Sequence, residues 1–286
     1  MTLIEGKKVS EALRLKMKEE VSELIRESGV TPGLAVILVG EDPASTVYVR
    51  NKERASIELG IHSEVYRLPA STTEEELLAL IEKLNADAHI HGILCQLPLP
   101  KHISEEKVIL TISPDKDVDA FHPQNVGRIM TGNYRFLPCT PAGVMELLDF
   151  YGIDINGKSC VVVGRSNIVG KPQAMLLLEK NGTVTIAHSR TKDLSTVTRG
   201  ADVLVVAVGR PKMVTADMVK DGAVVVDVGI NRLPDGKLCG DVDFDAVSAK
   251  TSFITPVPGG VGPMTITMLM KNTITATREF IAKNKK

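Results

Sequence analysis

Two hydrophobic periods alternate along the chain. Val9, Ala12, Leu13, Met17, Val21 and Leu24 fall close to helical spacing and predict a helix over about 8 to 27. The unbroken run LAVILVG (34–40) then predicts a strand, DPASTVYVRNKERASIEL a helix from Pro43 to Leu59, and HSEVYRL a second strand. A capping box from Thr73 to Glu76 opens another helix, and IHGILCQL (90–97) reads as a strand stopped by Pro98 and Pro100. Continuous apolar strands separated by helices argue for α/β architecture with mainly parallel sheets covered by helices.

From Ser113 to Leu137 the pattern turns irregular and polar. TPAGVMELLDFYG then predicts a helix with Thr140 as N-cap and Pro141 in its first turn. The alternation restarts with SCVVVG, a helix from Gly170, TVTIA, a short helix, DVLVVAVG, AVVVDVG and FITPV. Ile266, Leu269, Met270, Ile274 and Ile281 lie on roughly one face of a last helix that returns to the first domain, leaving KNKK as a solvated tail. The expected organisation is two domains, 1–137 plus 264–286 and 138–263.

The turn in VVVGRSNIVGKP (161–172) joins an apolar strand to a helix as a nucleotide-binding loop does, yet its glycines fit neither common spacing. A dinucleotide fingerprint needs G-x-G-x-x-G, and only Gly164 and Gly170 are present. A Walker loop needs four residues between its glycines and a hydroxyl after the lysine, whereas here five residues separate them and Pro172 follows Lys171. ATP chemistry is therefore not expected, and a Rossmann-type dinucleotide domain is; a tight strand-to-helix turn with no ligand is the plain alternative. The next strand, TVTIA, ends in His188, Ser189 and Arg190 instead of the acid that accepts from a ribose in NAD-selective folds. Together with Arg165 and Ser166, these donors suit a 2′-phosphate and favour NADP.

The first domain carries the candidate reactive groups. Tyr48, Asn51, Lys52, Ala55 and Leu59 share one helical face that starts polar and ends apolar, which sets Tyr48 beside Lys52. A lysine shielded from water can act as acid or base near neutrality; an ordinary snorkelling lysine is the plain alternative. Tyr-x-x-x-Lys also marks short-chain dehydrogenases, but there it follows the nucleotide loop, whereas here it precedes it by more than about a hundred residues, so that class is set aside. Gln96 stands at the carboxyl end of a strand, where open parallel sheets place ligands. PDKDVDAFHP supplies three acids that could accept from a ligand's amino and ring N–H groups or simply form a solvated loop, and PVPGGVGPMT packs glycines between prolines where a ligand could approach the backbone or where a structural turn is made.

Composition narrows the class. At 43% hydrophobic and 24% charged, with a net charge of −1, the chain is globular and gives no reason to expect a nucleic-acid or membrane partner. Its four cysteines are scattered, without a C-x-x-C pair, and only His89 and His91 suggest a metal; no metal and a cytoplasmic location are expected. The N-terminus lacks the apolar core of a secretory signal.

In their order, YVRNK, GILCQLPLPKHI, PDKDVDAFHPQNVGR, PCTPAGVMELL, GRSNIVGKP, HSRT and PVPGGVGPMT resemble the bifunctional methylenetetrahydrofolate dehydrogenase/cyclohydrolase family over nearly the whole chain. The resemblance implies a folate and NADP cleft between the domains, a homodimer and two reactions. These are NADP-dependent oxidation of 5,10-methylenetetrahydrofolate and hydrolysis of the methenyl product to 10-formyltetrahydrofolate. It makes Lys52 the central acid/base, with Tyr48 on the folate, Gln96 tuning and positioning Lys52, and Asp119 anchoring the pterin. Pro258, Gly259, Gly260 and Gly262 would line the folate side, and Gly164, Arg165, Ser166, His188, Ser189, Arg190 and Ile230 the NADP side. Ala120 stands where the family commonly has glycine, so a positive φ there would be costly. A dehydrogenase with weak or no cyclohydrolase activity is opposed by the retained Tyr48, Lys52 and Gln96, and a non-catalytic nucleotide sensor by retention of both clusters.

Overall fold

The computed structural model describes residues 1–284. The chain begins with β1 (Thr2–Leu3), α1 (Gly6–Ser28), β2 (Gly33–Val39), α2 (Pro43–Leu59), β3 (His62–Leu68), α3 (Glu74–Ala86) and β4 (Gly92–Cys95). α4 (Glu105–Thr111), α5 (Pro123–Met130) and α6 (Cys139–Phe150) follow. Next come β5 (Ser159–Val163), α7 (Gly170–Glu179), β6 (Thr183–Ala187), α8 (Leu194–Arg199), β7 (Val203–Val206) and β8 (Val224–Asp227). β9 (Asn231–Arg232), β10 (Leu238–Cys239), α9 (Phe244–Ser248), β11 (Phe253–Ile254) and α10 (Val261–Asn284) complete the course.

The chain divides into two compact units, one of Ala12–Leu137 with the segment from Ile266 onward, the other of Met1–Glu11 with Pro138–Thr265. The first has a three-stranded parallel sheet in the order β3-β2-β4. Every residue of β2 is buried, as its unbroken apolar run requires of a central strand. Asp42 caps α2, accepting the Ser45 N–H at 2.8 Å, and Pro43 occupies the first turn. α3 carries the expected capping box: Thr73 N–H to Glu76 at 2.9 Å and Glu76 N–H to the Thr73 hydroxyl at 3.2 Å. The last helix is tied to this unit by Asn272, whose Nδ2 donates to the Val118 and Leu137 carbonyls at 2.8 and 2.9 Å.

The second unit is a six-stranded sheet in the order β1-β11-β8-β7-β5-β6, parallel throughout. Met1–Glu11 group here, whereas the sequence reading placed them with 12–137. The cause is pairing of Thr2 and Leu3 with Phe253 and Ile254, together with full burial of Ile4. A two-residue strand is too short to show a period.

Two local expectations are corrected. The strand expected over 90–97 is limited to Gly92–Cys95, although bonds to β2 continue from His91 N–H to Gly33 O and from Gln96 N–H to Ile37 O, each 2.8 Å. Thr140 is not the N-cap of α6. Pro138 holds that position without a side-chain bond, and the Thr140 hydroxyl lies instead 3.0 Å from that of Thr265. In the expected tail Lys283 pairs with Asp115 at 2.7 Å, while Lys285 and Lys286 lie outside the described residues. Among the described residues no helix is long and apolar enough to cross a membrane.

Candidate active site

Within the first unit, α2 presents a graded face: Tyr48 is half-buried, and Lys52, Ala55 and Leu59 are buried. Asn51, expected on the same face, is exposed, and Ser56 takes its place at the core. Lys52 is 8% exposed, and its ammonium donates to Gln96 Oε1 at 2.8 Å. The Gln96 Nε2 donates to the Leu97 carbonyl at 2.7 Å, which turns the amide oxygen toward the lysine. Gln96 is therefore a fixed acceptor that adds no charge. Partial burial raises the Tyr48 pKa, so near neutrality its phenol stays an O–H donor.

Asp119 reaches the same strand end by a device the sequence does not announce. Ile93 N–H donates to Lys116 O at 2.7 Å, and Ile93 pairs parallel with Asp117, so this loop runs as a short edge beside β4. Two residues further along each segment come Cys95 and Asp119. The Cys95 thiol is pushed up to about 12, by burial first and then by Asp119, while Lys52 opposes the rise. Lys52 and Asp119 thus both act on the carboxyl end of β4. Asp117 secures the turn: it is 3% exposed and accepts from the Phe121 and His122 N–H groups at 3.3 and 2.9 Å and from Asn125 Nδ2 at 2.9 Å. Ala120, inside that turn, has φ 58. The conformation that glycine would take freely is adopted by a residue with a Cβ.

The buried His91 accepts the Gly33 N–H through Nδ1 at 3.0 Å and sets its ring edgewise to Phe280, with centroids 4.8 Å apart.

In the second unit the turn after β5 is a cradle between adjacent strand ends. Gly164 has φ 131, and a Cβ on it would stand 2.3 Å from the Ala207 carbonyl oxygen; one on Gly170 would stand 2.3 Å from the Gly164 oxygen. These two glycines let the loop, the end of β7 and the start of α7 close on one another. Arg165 and Ser166 are exposed, and Ser166 Oγ accepts the Val169 and Gly170 N–H groups at 3.2 and 3.3 Å. Both bonds use the hydroxyl as acceptor, so its hydrogen can donate to a phosphate.

Gly164 N–H donates to Ala187 O at 2.9 Å, which brings this loop beside His188, Ser189 and Arg190. His188 Nδ1 accepts the Arg190 N–H at 3.1 Å, while Ser189 and Arg190 are exposed. This donor set, without an acid at the end of β6, fits the added phosphate of NADP.

The glycine-rich loop lies in this unit too. Pro258 is exposed, Gly259 has φ 103, and a Cβ on Gly260 would stand 2.6 Å from the Pro256 oxygen. Gly262 faces Ile230, 45% exposed beyond β8, across 3.4 Å from its constructed Cβ. Gly6 was not singled out from the sequence. Its constructed Cβ would fall 1.7 Å from the Gly260 oxygen, so α1 can start against this loop only from a glycine. A Gly-Lys-Lys helix start carries no signal of that contact.

A parallel sheet with a strand–glycine–helix turn in one unit, and a buried lysine held by a glutamine in the other, define a two-domain nucleotide-dependent α/β enzyme. Residues 4–119 match the family model of the tetrahydrofolate dehydrogenase/cyclohydrolase catalytic domain, and 138–281 that of its NAD(P)-binding domain. The bifunctional protein FolD of Agathobacter rectalis is 61% identical, with 96% of this chain and 99% of that one covered. The crystal structure of the bifunctional methylenetetrahydrofolate dehydrogenase/cyclohydrolase FolD from Campylobacter jejuni matches with TM-score 0.95 and 53% identity over 98% of this chain and 99% of that one. The Trypanosoma brucei enzyme, complexed with NADP cofactor and inhibitor, matches with TM-score 0.94 and 40% identity over 98% of each chain. The chain belongs to the tetrahydrofolate dehydrogenase/cyclohydrolase family.

Proposed function

We propose that the chain oxidises 5,10-methylenetetrahydrofolate to the methenyl cation with NADP and hydrolyses that cation to 10-formyltetrahydrofolate, with Lys52 as central acid/base. Membership of the family and the near-complete coverage by bifunctional relatives support the pair of activities. The observation that carries the residue assignment is the 2.8 Å bond between the buried Lys52 ammonium and the Gln96 amide oxygen.

Bound NADP supplies the hydride acceptor for the first step. Arg165, Ser166, Ser189 and Arg190 would hold its phosphates, His188 orders the turn that carries Arg190, and Ile230 would pack on the cofactor. Orientation is the main demand of that step. In the second step water adds to the methenyl carbon and the bond to one ring nitrogen breaks. The water gives up both its protons, one to that nitrogen and one to solvent, so that its oxygen becomes the formyl oxygen. Lys52 exchanges these protons, and Gln96 holds it in place. Tyr48 contacts the folate with its ring or hydroxyl, Asp119 accepts from the pterin N–H groups, and Pro258, Gly259, Gly260 and Gly262 give the folate close access to backbone. The substrate of this step is already a cation, so a proton shuttle is sufficient chemistry.

The same reading makes the unit from Ala12 to Leu137 with the segment from Ile266 the folate-binding catalytic domain, and the other unit the NADP domain. It also makes the protein a cytoplasmic homodimer. The test is to assay one purified chain for NADPH formation with methylenetetrahydrofolate and, separately, for hydrolysis of methenyltetrahydrofolate. Absence of either activity refutes the bifunctional assignment.

A further inference from the structure

Two carboxylates in the NADP unit, Asp227 and Asp241, are 3% and 0% exposed. Neither is assigned a role by the folate and NADP chemistry above. Asp227 Oδ1 accepts the Gly229 and Asp241 N–H groups at 2.9 and 3.0 Å, and its Oδ2 accepts that of Val242 at 2.9 Å. Asp241 Oδ2 accepts from Val208 and Gly209 N–H at 2.7 and 3.0 Å, and its Oδ1 from Arg210 N–H and Asn231 Nδ2, each at 2.8 Å. Space for the pair depends on glycine. A Cβ on Gly229 would stand 2.3 Å from Asp241 Oδ1, and one on Gly240 1.8 Å from Asp227 Oδ2.

The donors to Asp241 come from two places that matter to the cofactor. Val208, Gly209 and Arg210 continue from Ala207, whose carbonyl packs against Gly164 of the phosphate loop. Asn231 adjoins Ile230 in the connection beyond β8. Both segments leave the carboxyl ends of neighbouring parallel strands, the edge on which such sheets bind dinucleotides. A buried carboxylate is expensive unless its oxygens are filled by donors, and here three consecutive backbone N–H groups and one side-chain amide fill them. That requirement fixes the two loops relative to each other.

We infer that Asp241 is a positioning residue for NADP binding, its carboxylate joining the loop after β7 to the segment that carries Ile230. The inference rests on the placement of NADP against Ile230 proposed above. Asp241→Asn keeps the shape but turns an amide NH2 toward a backbone N–H, so one loop must move. Asn231→Ala removes one donor and leaves the other three, and it serves as the decisive variant should Asp241→Asn fail to fold.

The experiment measures KM for NADP, kcat at saturating NADP and the thermal midpoint for Asp241→Asn, Asn231→Ala and Ile230→Ser. The expected result is a rise in KM of about tenfold for Asp241→Asn and about threefold for Asn231→Ala, with kcat changed less than about threefold. KM within about twofold of wild type for both loop variants, while Ile230→Ser raises it, overturns the inference; a lowered thermal midpoint alone then marks a purely structural role. If Ile230→Ser also leaves KM unchanged, the cofactor placement itself is wrong and the inference falls with it.

Discussion

The Lys52 ammonium and the Gln96 amide oxygen are 2.8 Å apart, joining a helix face to the residue just beyond a strand end in the same unit. The Gln96 amide accepts from the lysine and adds no charge of its own. Gln96→Glu replaces that partner by a carboxylate and favours the ammonium form. Methenyl hydrolysis is expected to fall about a hundredfold, because proton exchange at Lys52 is impaired. A steady-state hydrolysis assay checks this; an unchanged rate would show that the neutrality of residue 96 is immaterial.

Cofactor choice is expected to rest on the exposed guanidinium in the phosphate loop. Arg165→Ala should raise KM for NADP about tenfold or more and leave KM for NAD within about threefold, since a phosphate interaction is lost that NAD never makes. Parallel titrations with the two cofactors decide it. Equal losses for both would assign Arg165 to the shared pyrophosphate.

Ala120 at φ 58 carries strain that glycine would relieve. The left-handed conformation costs a residue with a Cβ about 1–2 kcal/mol, and added chain entropy in the unfolded state returns part of that gain. Ala120→Gly is expected to stabilise the protein by about 0.5–1 kcal/mol in denaturant unfolding. A loss of stability would show that the buried Ala120 methyl contributes more than the backbone strain costs.

Burial pushes the His91 ring down to about 4 from its ordinary 6.5. The folded state therefore favours the neutral ring. Its contribution to stability is present above about pH 6.5 and is lost as pH falls toward 4, amounting to about 3 kcal/mol across the window. Burial raises Asp227 to about 6, which gives an overlapping slope of opposite sign, so the comparison must be with a variant. His91→Asn supplies an oxygen to accept the Gly33 N–H without the titration. Its stability should fall less than that of wild type between pH 6.5 and 4, as followed by urea unfolding at a series of pH values.

Much of this architecture is legible because parallel strands must be apolar on both faces. LAVILVG, SCVVVG and DVLVVAVG announced central strands, and Asp42 with Pro43 announced the start of α2. Tyr48, Lys52 and Gln96 were readable since a helical period and a strand end are local properties. The N-terminal pairing of Thr2 with Phe253 was not, because it joins residues 251 positions apart through a strand without a period. Gly6 and Asp241 escaped notice, and Asp117 was read as a candidate ligand acceptor when it secures its own turn, for a related reason. Each acts through backbone groups brought near by folding, and no spacing in the chain encodes those contacts. Thr140 misled because its residue type favours an N-cap, whereas its hydroxyl is paired with Thr265.

The most direct test compares wild type with Lys52→Ala in methenyltetrahydrofolate hydrolysis, with NADP affinity measured on the same preparations. Loss of the acid/base group predicts hydrolysis slower by about a hundredfold or more, with the NADP dissociation constant within about twofold of wild type. Hydrolysis at the wild-type rate in Lys52→Ala would contradict the account.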